Sequence, residues 1–424
     1  MGTSLSMGFI VFRIGLPLVL LFIQIVLYRR TMRWLRQTFP SRPVLRHTAR
    51  GIFLLFNLSL AYVVFMHPQL GGVPAWFIYG AAYPFFIWHG ATFFLGLGIF
   101  IATIVKAPFT VPFWISKRIP ASRKKIEAIR AVPSFQQFDV SRRVFLRRSM
   151  YGLTAASFAG TAYGMLIEKN DVEVNDAEFF IPNLPQELDG FTIALASDIH
   201  SSLYMTKEDM QEYALRINDM KTDMIAVVGD FVNGAISEVY PFAEAFGSLS
   251  APLGVYGVMG NHDFYNPDPD MVAKEVDGCG IKLLRDDKVI VEKNGAKFYL
   301  IGVDDVGRAN TATVKLDAAL RSTPLKIPRI LLCHRPYYLP EASERNIDLM
   351  LSGHTHGGQV VLGQFGDLVI APASFASRYV WGKYRIGDTH MYVSRGIGTV
   401  GLPIRLNCPP ELTRITLRSA MPAI

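Results

Sequence analysis

Five short apolar segments in the second half of this chain each run into residues able to ligate a metal ion. Residues 191–196 lead to Asp198 and His200, 224–228 to Asp230, 255–259 to Asn261 and His262, 330–333 to His334, and 349–351 to His354 and His356. Short apolar runs bounded by glycine and polar turns read as buried strands. Strands alternating with amphipathic segments specify an α/β domain, whose sites gather at the carboxyl ends of the strands. The chain must therefore fold so that these side chains converge on one edge. The densest block is Leu351-Ser352-Gly353-His354-Thr355-His356-Gly357-Gly358-Gln359. Two histidines one residue apart point the same way from an extended or turning backbone and can reach a shared point. The glycines leave room for another segment to approach. Thr206 with Asp209 three residues on predicts a capped helix after the first strand. Asp223 and Asp348 precede their strands, at the end away from the site, and are assigned turn or capping roles.

Taken singly, each element has a plain structural reading. Asp-x-His is common, Gly-Asp marks turns, Gly-Asn-His-Asp reads as a loop because Asn and Gly favour turns, and His334 reads as a satisfied structural histidine. Taken together, in this order and each behind a strand, they read as a metal site.

The formal net charge of +8 is unevenly placed. Residues 1–168 hold the long apolar runs: 9–28, 51–66, 73–105 (a span at 85–105 behind an interfacial piece at 76–83) and 151–167. They specify about four membrane helices. Residues 29–50 carry seven arginines and no acid, 67–80 carry no Lys, Arg, Asp or Glu, and 106–148 carry eleven basic residues against Glu127 and Asp139. Basic loops alternating with spans obey the positive-inside bias. The amino terminus is then outside, both basic stretches are cytoplasmic, and everything after Ile167 lies on the outer face. Ser141-Arg142-Arg143-Val144-Phe145-Leu146-Arg147 resembles a twin-arginine export signal placed internally, and reads equally as a juxtamembrane basic cluster. Arg13 and His89 interrupt apolar runs and are candidates for a polar path, or, for Arg13, for snorkelling to the interface. The excess positive charge sits in the membrane half, which argues against a nucleic-acid partner. Cys279, Cys333 and Cys408 lack pair spacing and form no disulfide framework. Two regions follow: a transmembrane region, 1–168, with basic cytoplasmic loops, and a globular domain, 169–424.

The blocks Asp-x-His, Gly-Asp, Gly-Asn-His-Asp, a later His and Gly-His-x-His, all present in order over roughly residues 190–420, resemble the calcineurin-like metallophosphoesterase superfamily. The Gly-His-Thr-His-Gly-Gly-Gln form, Gly302-Val303-Asp304-Asp305, and the stretch from Ser394-Arg395-Gly396 through Pro403-Ile404-Arg405 to Pro409-Pro410-Glu411 are similar to its membrane-anchored bacterial branch. The resemblance implies a four-layer α-β-β-α sandwich holding two divalent metal ions, Mn favoured, with Fe and Zn as alternatives. Position by position, it implies Asp198, His200, Asp230 and His356 around the first ion, and Asp230, Asn261, His334 and His354 around the second. A carboxylate can bridge two metals and imidazole cannot, which suits Asp230 to the shared position. His262 falls on the family's catalytic histidine, and a histidine's titration near neutrality suits proton transfer. Arg395 and Arg405 are weaker candidates for phosphate contacts. The implied reaction is hydrolysis of a phosphodiester, pyrophosphate or phosphomonoester through metal-activated hydroxide. A lipid-linked substrate is compatible, at the outer, periplasmic face of a bacterial inner membrane. The alternative is a membrane transport or sensor protein whose phosphoesterase domain only binds a phosphorylated ligand.

Overall fold

The computed structural model describes residues 15–66, 75–305, 309–366, 368–375 and 377–419. The chain divides into two compact units, Met1–Pro68 with Ala75–Ala162, and Gln69–Pro74 with Tyr163–Ile424.

The described helices up to Leu166 are Leu16–Thr38, Pro43–Met66, a continuous run through Ala75–Phe77, Ile78–Ala82 and Tyr83–Ser116, then Pro120–Ala131 and Pro133–Leu166. Proline opens three of them, where its missing N–H costs nothing. Among the described residues one helix, Ile78–Ser116, is long and apolar enough to cross a membrane. The sequence led us to expect about four. In the other long helices the apolar run shares the helix with arginines or is diluted by small polar residues, as in 149–166 with Ser149, Thr154, Ser157 and Thr161. Leu16–Thr38 carries Arg29, Arg30, Arg33 and Arg36, and Pro133–Leu166 begins with the basic stretch that includes Arg142 and Arg143. The amino-terminal part of the first apolar run, with Arg13, lies outside the described residues. Within this unit polar groups turn inward: Gln24 Nε2 donates to Thr92 Oγ1 at 2.6 Å, Trp88 Nε1 donates to Gln24 Oε1 at 3.2 Å, and Trp88 stacks on Phe56.

The second unit contains β1 (Glu173–Ile181), β2 (Thr192–Ala196), β3 (Met224–Val228), β4 (Val255–Val258), β5 (Lys282–Leu283), β6 (Asp287–Lys293) and β7 (Ala296–Val303). It continues with β8 (Arg329–Cys333), β9 (Leu349–Ser352), β10 (Gly363–Phe365), β11 (Leu368–Ile370), β12 (Gly382–Ile386), β13 (Thr389–Val393) and β14 (Glu411–Ser419). Two six-stranded mixed sheets form, in the orders β1-β14-β2-β3-β4-β5 and β12-β13-β9-β8-β7-β6, and β10 pairs with β11 alone.

Strict alternation builds the layers. Ile193 and Leu195 of β2, Ala226 and Val228 of β3, Leu300 of β7, Leu332 of β8 and Leu351 of β9 meet in a core between the sheets. Ala194, Ala196 and Val227 face the other way, onto Met210 and Ile217 of helix Lys207–Asp219, Phe242 and Phe246 of Val239–Phe246, and Val276 of Pro269–Gly278. On the second sheet Ile301, Leu331 and Met350 face Leu316, Leu339 and Ala342 of helices Ala309–Ala319 and Leu339–Glu344. Strands buried on both faces explain why the sequence shows continuous apolar runs.

The five expected strands are present, within a residue at each end, but they do not share one sheet. β2, β3 and β4 lie side by side in the first, β8 and β9 in the second. The Thr206–Asp209 capping box forms, with Asp209 N–H donating to Thr206 Oγ1 at 3.2 Å and Thr206 N–H to Asp209 Oδ2 at 3.0 Å. Asp223 and Asp348 do the same task in the two sheets. Asp223 Oδ2 accepts the Thr192 N–H that opens β2 at 2.9 Å, and Asp348 Oδ2 accepts the Arg329 N–H that opens β8 at 2.8 Å.

Candidate metal centre

The chain turns sharply where β2, β3 and β9 end. Asp198, His200, Asp230, His354 and His356 all have positive φ, between 49° and 75°. This left-handed conformation costs a non-glycine residue about 1–2 kcal/mol, and its concentration here marks a site whose surroundings impose it. Glycine makes the tight approaches possible at two places. A Cβ on Gly353 would lie 2.3 Å from Asp198 Oδ2, and Gly229 combines a φ of +77° with a Cβ position 2.6 Å from His334 Nδ1.

Two groups of ligand atoms result, each within 4.8 Å: Asp198, His200, Asp230 and His356, and Asp230, His334 and His354. Asp230 belongs to both. His354 and His356 therefore reach two adjoining points, not the single shared point expected, because the left-handed turns at both residues rotate their side chains apart. In the first group His200 Nε2 lies 3.1 Å from His356 Nε2 and 3.4 Å from Asp230 Oδ2, and His356 Nε2 lies 3.5 Å from Asp198 Oδ1. In the second, His334 Nε2 lies 3.2 Å from Asp230 Oδ2 but off the line a hydrogen bond needs, so this buried nitrogen is left without a partner. Its Nδ1–H donates to Val228 O at 2.9 Å, the backbone bond that orients a ligating imidazole and turns its other nitrogen toward a metal. Asn261 Oδ1 is also buried and unpartnered. Buried polar atoms that converge without hydrogen bonds, on imidazole, carboxylate and amide groups, fit a pair of divalent cations.

Electrostatics point the same way. Burial holds His200 and His354 well below the ordinary imidazole range and brings His356 down to about 4, leaving neutral rings with lone pairs to give. Burial also opposes charge on His334, but Asp230 and Asp198 outweigh it and raise that imidazole to about 10. Asp230 is buried too, yet His334, His262 and His200 hold its carboxyl well below the usual range. The carboxylate is divided: Oδ1 accepts the His262 backbone N–H at 2.8 Å, and Oδ2 faces His200 and His334. One oxygen, rather than two, is thus shared between the clusters.

His262 belongs to neither cluster. Its ring stands edge-on to His200 with centroids 4.6 Å apart, and its Nδ1–H donates to Asn233 O at 2.8 Å. Nε2 is then the nitrogen able to exchange a proton.

Three supporting residues were not singled out from the sequence. Asp263, fully buried, accepts four backbone N–H groups: Phe231 at 2.9 Å and Val232 at 3.2 Å on Oδ1, Asp230 at 3.0 Å and Gly260 at 2.8 Å on Oδ2. It ties the end of β3 to the end of β4. Ser197 Oγ donates to Asp198 Oδ2 at 2.6 Å. Glu238 Oε2 accepts the N–H groups of Asn233, Gly234 and Ala235 at 2.9–3.0 Å, shaping the turn whose Asn233 carbonyl holds His262. The only sequence signal for Glu238 was a carboxylate a few residues after Asn-Gly. Glu238→Ala is expected to lower turnover about 10–100-fold with metal content intact, and Glu238→Gln, whose oxygen can still accept these bonds, to recover most of it. In a His262→Ala background Glu238→Ala should add nothing. A full additional loss there would show that Glu238 acts by another route.

Arg395 and Arg405 are spent on structure. Arg395 pairs with Glu411 and Glu173, and the fully buried Arg405 donates to the carbonyls of Arg395, Gly396, Gly398 and Cys408. Asp304 and Asp305 pair with Arg285 and Arg335.

Residues 191–358 match the family model described as calcineurin-like phosphoesterase. The uncharacterized metallophosphoesterase YkuE of Bacillus subtilis is 31% identical over 66% of this chain and 98% of its own length. Phosphodiesterase YaeI of Escherichia coli is 27% identical over 66% of this chain and 99% of its own length. A transmembrane protein with metallophosphoesterase domain from Danio rerio is 29% identical over 72% of this chain and 68% of its own length. With a relative this similar matched over nearly its whole length, and the motif residues gathered around Asp230, the chain belongs to the calcineurin-like phosphoesterases, hydrolases of phosphoric ester bonds.

Proposed function

We propose that this chain is a membrane-anchored phosphodiesterase that uses two divalent cations and acts on a lipid-linked phosphodiester or pyrophosphate. The observation that carries the proposal is the divided Asp230 carboxylate, which sits in both ligand groups and also fixes the backbone of His262. The cations, Mn favoured over Fe or Zn, would be held by Asp198, His200, Asp230 and His356 on one side and by Asp230, Asn261, His334 and His354 on the other. When bound they supply positive charge to the phosphoryl oxygens and acidify the attacking water. The chain's own residues do the rest. Asn233 O keeps the His262 ring in one orientation, and Nε2 delivers a proton to the departing oxygen. That the E. coli relative YaeI is named a phosphodiesterase supports the diester preference.

For the anchor, the proposal is a 1–168 transmembrane region of about four spans, with 29–50 and 106–148 cytoplasmic and the 169–424 domain on the outer face of a bacterial inner membrane. In support, apolar side chains point outward from several helices: Leu18, Phe22, Leu54, Leu55, Leu58, Phe100 and Ile104 are exposed while Gln24, His89 and Thr92 are buried. That arrangement is unsuited to water and suited to lipid. The Danio rerio relative, a transmembrane protein with metallophosphoesterase domain, is in keeping with it.

The test is hydrolysis of bis-p-nitrophenyl phosphate by the full chain in nanodiscs, stripped of metal and refilled with Mn. Refilling is expected to restore activity. His262→Gln should keep the metal and lower turnover about 10²–10⁴-fold on an ester with a poor leaving group. Full activity of His262→Gln on that ester removes it as the proton donor. Two bound metals without turnover would instead favour a domain that only binds its ligand.

A further inference from the structure

The segment after the Gly-His-Thr-His-Gly-Gly block forms a hairpin that neither metal cluster uses. In β10 and β11 Phe365 pairs with Leu368, Gln364 with Val369 and Gly363 with Ile370. Alternation puts Val369 on the underside, buried with Val361, Ala371, Val380 and Cys408. It puts Phe365, Leu368 and Ile370 on the outer face, where they are 71%, 63% and 41% exposed. A hairpin with one packed face normally carries polar residues on the other, and a contiguous apolar patch of this kind marks a binding surface.

We infer that this outer face docks flat on the interfacial layer of a lipid bilayer. The inference rests on the membrane-anchored reading above. Three observations select lipid as the occupant. The same chain carries Ile78–Ser116, long and apolar enough to span a membrane, so a bilayer is always within reach of the tethered domain. Residues 360–377 contain one charged residue, Asp367, and an apolar face with little charge to desolvate is what interfacial segments present to a bilayer. The underside is also mounted on the metal centre, because Cys408 Sγ–H donates to His356 O at 3.3 Å. Docking would hold the clusters beside the layer of lipid phosphates.

The test uses the full chain in nanodiscs of phosphatidylcholine and phosphatidylglycerol. Leu368→Cys is labelled with an environment-sensitive fluorophore in a Cys279→Ser background, since Cys333 and Cys408 are buried. Blue-shifted emission, quenched by lipids with a shallow doxyl group and less quenched once Phe365→Ser and Ile370→Ser are added, is the expected result. Water-like emission overturns the inference. So does blue-shifted emission that doxyl lipids leave unchanged, which would mean that a second copy of the chain covers the face. Turnover of bis-p-nitrophenyl phosphate in the same Mn-loaded samples separates the two readings. Turnover with an unquenched probe overturns docking alone, and quenching without turnover supports docking while overturning the hydrolase reading.

Discussion

Asp230→Asn is expected to abolish metal-dependent hydrolysis, lowering it at least about 10³-fold, and to empty both ion sites. The carboxylate gives Oδ1 to the His262 N–H and Oδ2 to the space between His200 and His334. Asparagine offers one oxygen for these two tasks. Either its NH₂ group faces the His262 N–H and displaces the proposed proton donor, or it faces the proposed cation sites and disfavours their filling. Metal content by mass spectrometry, read beside turnover, checks this. A variant that keeps two metals and most of its rate would remove Asp230 from the shared position.

Asp263→Asn is expected to be almost as damaging although its side chain lies in neither metal cluster. Four N–H groups converge on two carboxylate oxygens. An amide turns one of those acceptors into a donor aimed at two of the N–H groups. Leaving a buried N–H without its acceptor costs about 1–3 kcal/mol per group, and here the loss falls on the turns that carry Asp230 and Asn261. Metal affinity should fall about 10–100-fold along with it. Thermal melting and a metal titration check both effects, and a wild-type melt would show that the clamp is dispensable.

Strand ends were legible because residues such as Asp198, Asp230 and His334 follow runs too apolar to be anything but buried. The Thr206–Asp209 cap was legible because its chemistry is local. What could not be read was set by distant partners. Nothing in the sequence divides β2–β4 from β8 and β9 into separate sheets, since both sets carry the same apolar pattern. The left-handed turns at His354 and His356 go with contacts to the distant Asp198, which accepts the His354 N–H and faces the His356 ring. Arg405 resembles a phosphate ligand by type, and only the fold shows its guanidinium surrounded by carbonyls. In the first 168 residues hydropathy located the apolar runs but not where the helices end, because basic residues continue a helix as readily as they end one.

Asp198, His200, Asp230 and Asn261 come from the ends of strands in the first sheet, and His334, His354 and His356 from the second. Ions gripped by both would rivet the two halves of the sandwich together at one end. Ligands that bind only the folded chain stabilise it in proportion to the logarithm of their concentration. Chelation should therefore loosen the seam between the sheets and expose it to proteases, so the supply of metal would govern how long the protein survives as well as how fast it works.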